Sequence, residues 1–588
     1  METTNLSKIR RNKMLNTINE IKKKITDEET LTNLSMIENE LTKKKYGLIW
    51  EEHEERVDKE LETKIPTFEE VKDKEIVSNP DDKFNFLLEG DNLHSLYLLE
   101  KTHKEKIDVI YIDPPYNTKN SDFIYDDKII NAEDTFRHSK WLSFMNRRLK
   151  IAKNLLAHNG VIFISIDENE FSQLKLLCDE IFGEQNFIDC IIWNKRVPKN
   201  DKGIGNIHEY ILLYAKKNHY KYKFLMPKDG MNDIEKLIND LRRKKISIQE
   251  SEIELKKLYK KNNYDRAITL YNNLDDDYNV WGKINLSWPN GNTFGPKYDI
   301  LHPMTKKPVK VPDRGWRWSE ETFKSMLDYN NVKIRYDGSI ICGKIWFAKD
   351  EKTQPSSIKY LNDVERMLLR SIISTKSDGG MELEKLFGEK SKFAYPKPVT
   401  LIKLLIDSIT YNNKNGLILD FFAGSGTTAQ AVQELNCEDN GNRHFILCTN
   451  NENKICEDIT YKRLLKINSG ISKVLTRPYN LKYYKCAYVP RINTEDENLH
   501  NNLLINIKNL IQLENGIEID DNKIRVYLDE DELDKFSRNQ SELDVCEKIY
   551  ISSDILLTSM QESIFKNNNI EVYIIPEYYF EDEIMEVM

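Results

Sequence analysis

A carboxylate, two prolines and a phenol stand in a row at Asp113-Pro114-Pro115-Tyr116. The prolines hold the backbone extended and remove two N–H donors, which leaves peptide carbonyls free to accept. A carboxylate oxygen beside a fixed carbonyl makes an acceptor pair for an exocyclic NH₂, which offers two protons. Tyr116 adds a face on which a planar base can stack. A second candidate is Asp420-Phe421-Phe422-Ala423-Gly424-Ser425-Gly426-Thr427-Thr428. Its glycines permit close backbone approach, and the helix start behind them offers free N–H groups. The spacing matches neither G-x-G-x-x-G with a ribose-binding acid nor G-x-x-x-x-G-K-[ST], which disfavours a dinucleotide or triphosphate. Asp420 at the strand end suits a cofactor with a cationic amino group.

These residues need a frame. Asp113 ends an apolar strand, Ile107–Ile112, and ligands in open α/β sheets bind beyond the carboxyl ends of strands. Asp420 follows the strand Gly416–Leu419, and a helix is expected over Ala429–Leu435. FNFLLEGDN, NGVIFISIDEN, DCIIWN, EYILLYAK and RHFILCTNNEN read as further strands, with helical segments between them. Strands that are apolar throughout and alternate with helices indicate an α/β fold whose mostly parallel sheet is buried on both faces. Residues 1–80 read as a helical arm, with helices near Leu15–Lys24, Leu31–Lys44 and Trp50–Leu61. The sheet domain occupies 81–218 and resumes over 391–490; the loop-rich, basic and aromatic stretch 219–390 is inserted between the pieces. An acidic segment, 491–588, follows.

The 588 residues carry a formal net charge of −9, which seems to argue against a nucleic-acid partner, but the average hides the distribution. Residues 491–588 hold 8 Lys/Arg and 23 Asp/Glu, net −15, which leaves +6 for 1–490. Windows 191–270 and 291–360 are net +9 and +5. The middle of the chain is therefore expected to meet phosphates and the acidic end to dock a protein. Eight cysteines without C-x-x-C, and no H-E-x-x-H, suggest neither a disulfide framework nor a metal site. No run approaches the ~18 apolar residues that cross a bilayer, so no membrane association and a cytoplasmic location are expected.

Together the two motifs resemble the DNA amino-methyltransferases that use S-adenosylmethionine. The catalytic motif precedes the cofactor loop, a circularly permuted order like that of the β-group enzymes, in which the inserted piece is the target-recognition domain. KYGLIWEEHEE, LLEGDNLHSLYLL, IYIDPPYNT, PDRGWRWSEE, FAYPKPVTLIKLL, LDFFAGSGTTAQAV, FILCTNNEN and NLKYYK resemble, more closely, the modification (Mod) subunit of type III restriction–modification systems. The resemblance covers roughly 45–490. It implies a Rossmann-like methyltransferase fold and N6-methylation of an adenine flipped out of duplex DNA. Asp113 and the Pro114 carbonyl would accept the amine protons, Pro115 would stiffen the turn, and Tyr116 would stack on the base. Asp420, Phe422, Ala423, Gly424, Ser425, Gly426 and Thr427 would border the methionine end of the cofactor, together with Lys397, Pro398 and Thr400. Asp91 would contact the cofactor's adenine amine, or serve as a salt-bridged structural residue. Asn450 or Glu452 would hold the ribose.

For the DNA, Arg314, Trp316, Arg317 and Trp318 are candidates, the alternative being that the tryptophans are core residues. The chain has no G-x-x-x-x-G-K-[ST], so a helicase–nuclease (Res-like) activity would come from a separate partner; relatives also suggest a homodimer. The readings that compete are N4-cytosine methylation by the same pocket chemistry, and a DNA-binding specificity subunit with a weak or degenerate transferase site. Cytosine-C5 chemistry, which needs a nucleophilic Cys, is disfavoured.

Overall fold

A computed structural model describes residues 6–42, 50–118, 124–125, 128–129, 136–196, 205–217, 222–228, 230–289, 291–390, 393–470, 476–490, 496–576 and 579. Part of KYGLIWEEHEE, residues 45–49, lies outside them. The chain forms two compact units, one of 1–221, 371–406 and 412–588, the other of 222–370 and 407–411.

The first unit is built on ten strands: β1 (Lys64–Glu70), β2 (Phe84–Glu89), β3 (Ile107–Ile112), β4 (Leu156–Ile166), β5 (Phe187–Asn194), β6 (His208–Ala215), β7 (Ile372–Ser374), β8 (Leu417–Asp420), β9 (His444–Thr449) and β10 (Asn480–Pro490). Their order in space is β1-β10-β2-β9-β8-β3-β4-β6-β5-β7. Pairing is parallel from β10 across to β4, and antiparallel where β1 meets β10 and where β6 meets β4 and β5. Strands from 417–490 thus alternate in space with strands from the first part of the chain, and the two pieces make one sheet. Ile107, Val109, Ile110 and Ile112 on β3, and Ile418 and Leu419 on β8, are fully buried, as strands covered on both faces must be. EYILLYAK, read as another strand of a parallel array, is β6 and runs the other way. The segment that leads into it, RVPKNDKGIGN, has no apolar period for a crossover helix, and a parallel return needs one.

Helices cover the sheet. Arg137–Leu155 buries Trp141, Met145, Leu149 and Ala152, a helical spacing of one apolar face. Helices Leu6–Lys22 and Glu28–Thr42 pair through Lys22, whose ammonium donates to Glu38 at 2.7 Å and Ser35 at 2.8 Å. The third helix begins at Arg56, not at Trp50. Asp58 Oδ2 takes the Glu55 N–H at 2.7 Å and starts it there, while the Glu55 side chain is drawn elsewhere.

The acidic end is more integrated than its charge suggests. In the helix Asp496–Asn515, Leu510, Ile511 and Leu513 join the same core as β1 and β2, and Asn509 Nδ2 donates to Phe68 O at 2.7 Å. The buried Lys482 ammonium donates to Glu70 at 2.5 Å, to Glu75 at 2.9 Å and to Glu518 beyond that helix. This part of the segment therefore docks on the chain's own sheet, because its apolar stripe outweighs its charge. A small parallel sheet, Ile524–Tyr527, Lys548–Ile551 and Glu571–Ile574, follows.

The second unit holds the paired helices Met231–Arg243 and Ile248–Asn262 and a six-stranded antiparallel sheet. Among the described residues, no helix is long and apolar enough to cross a membrane.

Candidate active site

β3 delivers Asp113, and the turn that follows brings Tyr116 back over it, with the phenol donating to Asp113 Oδ1 at 2.9 Å. Trp141 Nε1 donates to the Pro115 carbonyl at 2.7 Å, so the carbonyl left for a substrate amine is that of Pro114. Asn117, at φ +55°, ends the turn and donates to the buried Glu170 at 2.5 Å. Lys397 arrives from the segment before the helix Val399–Thr410. Its ammonium donates to Asp113 Oδ1 and Oδ2 at 2.8 and 2.9 Å and to the Tyr116 hydroxyl at 2.7 Å. Glu209, at the start of β6, stands 3.3 Å from Lys397 and 3.1 Å from the Tyr116 hydroxyl, and it pairs with Lys195 at 2.8 Å. Burial pushes the Asp113 carboxyl up, and Lys397 only partly offsets this. For Glu209 the same burial is outweighed by Lys397 and Lys195, which hold it down at about 2.

Asp113, Pro114, Pro115, Tyr116 and Lys397 line a cavity of about 650 Å³, and so do Asp91, Phe421, Phe422, Gly424 and Asn450. Gly424 has φ +48°, and a Cβ there would stand 2.9 Å from the Phe393 ring; Gly426, at φ +76°, is pressed against Thr460. The Thr460 hydroxyl donates to Gly424 O at 2.5 Å. Asp420 does not reach the cavity. Its oxygens accept from Phe422 N at 3.0 Å and Thr428 Oγ1 at 2.5 Å, so it shapes the glycine loop instead of meeting a ligand's amine. Burial pushes its carboxyl up to about 7. Ser425 and Thr427 also point away: the buried Arg463 guanidinium donates to their hydroxyls at 3.1 and 2.9 Å. Ala423 is buried, with its N–H on Cys448 O at 3.1 Å. Pro398 is buried and Thr400 exposed; neither lines the cavity.

Asp91 is a salt-bridged structural residue that also faces the cavity. It lines the cavity, caps the helix Asn92–His103 by accepting from Leu93 N at 2.7 Å, and lies 3.3 Å from Arg148. Arg148 is the hub behind the cavity. It forks onto Glu55 at 2.7 and 3.0 Å, donates to Asn92 Oδ1 at 2.5 Å, and stacks on Phe144 at 3.6 Å. Asn92 in turn donates to Phe421 O at 2.7 Å. One fully buried guanidinium thus ties the N-terminal arm, the Gly90-Asp91-Asn92 turn and the start of the glycine loop. Glu209, Lys195, Arg148 and Arg463 were not singled out from sequence. The one available signal was a charged residue at the end of an apolar strand or inside an apolar helix face.

In the second unit, Trp316 is fully buried against Tyr298 and Phe323, with its indole N–H on Tyr298 O at 2.9 Å. It is core, which corrects the suggestion that it touches DNA; Trp318, partly buried, packs on Phe323 at 6.3 Å. Arg314 and Arg317 are exposed and remain candidates.

The mostly parallel sheet, the acid–Pro–Pro–Tyr turn at the end of one central strand and the glycine loop at the end of its neighbour define the α/β methyltransferase fold. A family model described as DNA methylase matches residues 107–462, and the chain belongs to that family. It is similar to the Type III restriction-modification enzyme EcoP15I Mod subunit of Escherichia coli, 33% identical over 390 residues, which span 62% of this chain and 58% of that protein. It is likewise similar to the StyLTI Mod subunit of Salmonella typhimurium, 33% identical over 62% of this chain and 52% of that one. The Type II methyltransferase M.KpnI of Klebsiella pneumoniae is 31% identical over 66% of this chain and 84% of its own length. The chain spans a little over half the length of the Mod subunits it matches.

Proposed function

We propose that this protein transfers a methyl group from S-adenosylmethionine to N6 of an adenine flipped out of duplex DNA, as the modification subunit of a type III restriction–modification system. The observation that carries the reading is that Asp113 and Pro114 line the same cavity as Phe422 and Gly424. The cavity's residues fit the cofactor: Phe421, Phe422 and Phe144 offer apolar walls, and Asp91, Asn450 and Glu452 offer hydrogen-bond partners for its amine and hydroxyls. S-adenosylmethionine, when bound, supplies an electrophilic sulfonium methyl. Asp113 accepts a hydrogen bond from one N–H of the base amine and the Pro114 carbonyl from the other, which draws the nitrogen lone pair out of ring conjugation; the nitrogen releases one of these protons as it gains the methyl group. The Tyr116 ring holds the base plane, so catalysis rests on positioning and on fixed acceptors. Asp91 takes the cofactor's adenine amine, and Asn450 or Glu452 the ribose.

Phosphate contact falls to the second unit, whose residues 222–370 hold 28 Lys/Arg and 21 Asp/Glu. Arg314 and Arg317 are its exposed candidates. A helicase–nuclease partner and a homodimer belong to the same proposal, and only the likeness to the Mod subunits supports them. Replacing Asp113 with Ala tests the reading: cofactor affinity measured by calorimetry stays within a few-fold, while methylation of DNA falls by about 10²–10³, the usual loss of a transition-state hydrogen-bond partner. Undiminished methylation by Asp113→Ala refutes it.

A further inference from the structure

The site as it stands is shut by its own lysine. Both Asp113 oxygens accept from Lys397, and Oδ1 also accepts from Tyr116. Oδ2 keeps one acceptor site, and an amine that takes it competes with the Lys397 ammonium for the same carboxylate. Lys397 is nearly enclosed, with its side chain 10% exposed, and a buried ammonium stripped of its carboxylate is costly. The structure holds a second carboxylate for it. Glu209 Oε2 is already 3.3 Å from the ammonium and 3.1 Å from the Tyr116 hydroxyl, while Oε1 is anchored by Lys195 at 2.8 Å. The four groups alternate in sign, Lys195–Glu209–Lys397–Asp113, along the carboxyl edge of the sheet. The Tyr116 hydroxyl has one proton, so it donates either to Asp113 or to Glu209, and a sub-ångström shift moves both it and the ammonium toward Glu209.

We propose that Glu209 is the alternate seat of the Lys397 ammonium: when a base amine occupies Asp113, Lys397 and the Tyr116 hydroxyl turn to Glu209, so Asp113 is freed without an unpaired buried cation. Glu209 is then a positioning residue, and Lys195 keeps it in place. No covalent bond is made or broken in this exchange; hydrogen bonds change partner. The inference rests on the role given to Asp113 above.

The test is a double-mutant cycle on single-turnover methyl transfer from labelled S-adenosylmethionine to unmethylated phage-length duplex DNA, with cofactor affinity followed by calorimetry. Glu209→Gln slows transfer tenfold or more with cofactor affinity within twofold. Glu209→Asp, which keeps the carboxylate, holds the rate nearer to wild type than Glu209→Gln does. In a Lys397→Met background, which has no cation to seat, Glu209→Gln adds less than a twofold loss. Should Glu209→Gln fail to bind cofactor, Lys195→Met, which loosens Glu209 from outside, gives the same slowed transfer. A Glu209→Gln rate within twofold of wild type, or an equal loss in both backgrounds, overturns the proposal. A wild type that binds cofactor but methylates no DNA contradicts the function and not the seat; an active wild type places any failure on Glu209.

Discussion

Asp113 and Tyr116 sit three residues apart and touch because the prolines between them fold that turn, so their partnership is written in contiguous sequence. Glu209, Lys195 and Lys397 reach the same point from two antiparallel strands and a distant loop; only sheet order assembles them, and no local pattern reports it. Glu170 is another such residue. It is buried beneath the catalytic turn, between Asn117 at 2.5 Å and His138 at 2.6 Å. Burial pushes its carboxyl from 4.5 up to about 8. The folded state therefore keeps a proton that the unfolded chain releases above pH 4.5, and this site's contribution to stability falls as pH rises toward 8. Glu170→Gln carries no such proton. Its melting temperature is expected to drop less than that of the wild type between pH 5 and pH 8; parallel slopes for the two proteins would show that Glu170 is already ionised when folded.

Among the elements, β3 forms over the residues that its apolar run marks, and the helix after the glycine loop runs Thr427–Asp439, longer than the Ala429–Leu435 read from its pattern. Where local pattern misleads, a tertiary contact decides. The third helix starts at Arg56, where Asp58 takes the Glu55 N–H, and the antiparallel course of β6 places Glu209 at the catalytic edge instead of the far one. Arg148 is the strongest of these contacts, being 0% exposed and paired with Glu55. Removing one partner of such a pair leaves a buried charge and costs about 3–5 kcal/mol. Arg148→Met is accordingly expected to melt at lower temperature and to lose cofactor affinity, with faster proteolytic cleavage within Arg56–Thr63. An unchanged cleavage pattern would mean that the arm is held by its apolar contacts alone.

At the scale of the whole molecule, net charge was the least informative quantity. The −9 averages a basic second unit with an acidic end, and that end is partly a structural element of the sheet. A chain cut after 490 would expose Leu510's partners on the sheet and take Glu518 from the buried Lys482. It is expected to be aggregated or partly unfolded in sedimentation and circular dichroism, whereas a folded, cofactor-binding core from the same cut would show the helix Asp496–Asn515 to be dispensable. The sequence motifs mark where along the chain the candidate residues stand, but the interleaving of β8, β9 and β10 with β2 and β3 is a property of the complete sheet, and it alone brings Gly424 and Asp113 to one cavity.

The base and atom that receive the methyl group decide the function. Mass spectrometry of nucleosides from duplex DNA incubated with the purified protein and isotope-labelled S-adenosylmethionine reads both. Labelled N6-methyladenine, lost with Asp113→Ala, is the expected product. Label in N4-methylcytosine alone, or labelled adenine that persists at the wild-type rate in Asp113→Ala, would contradict it.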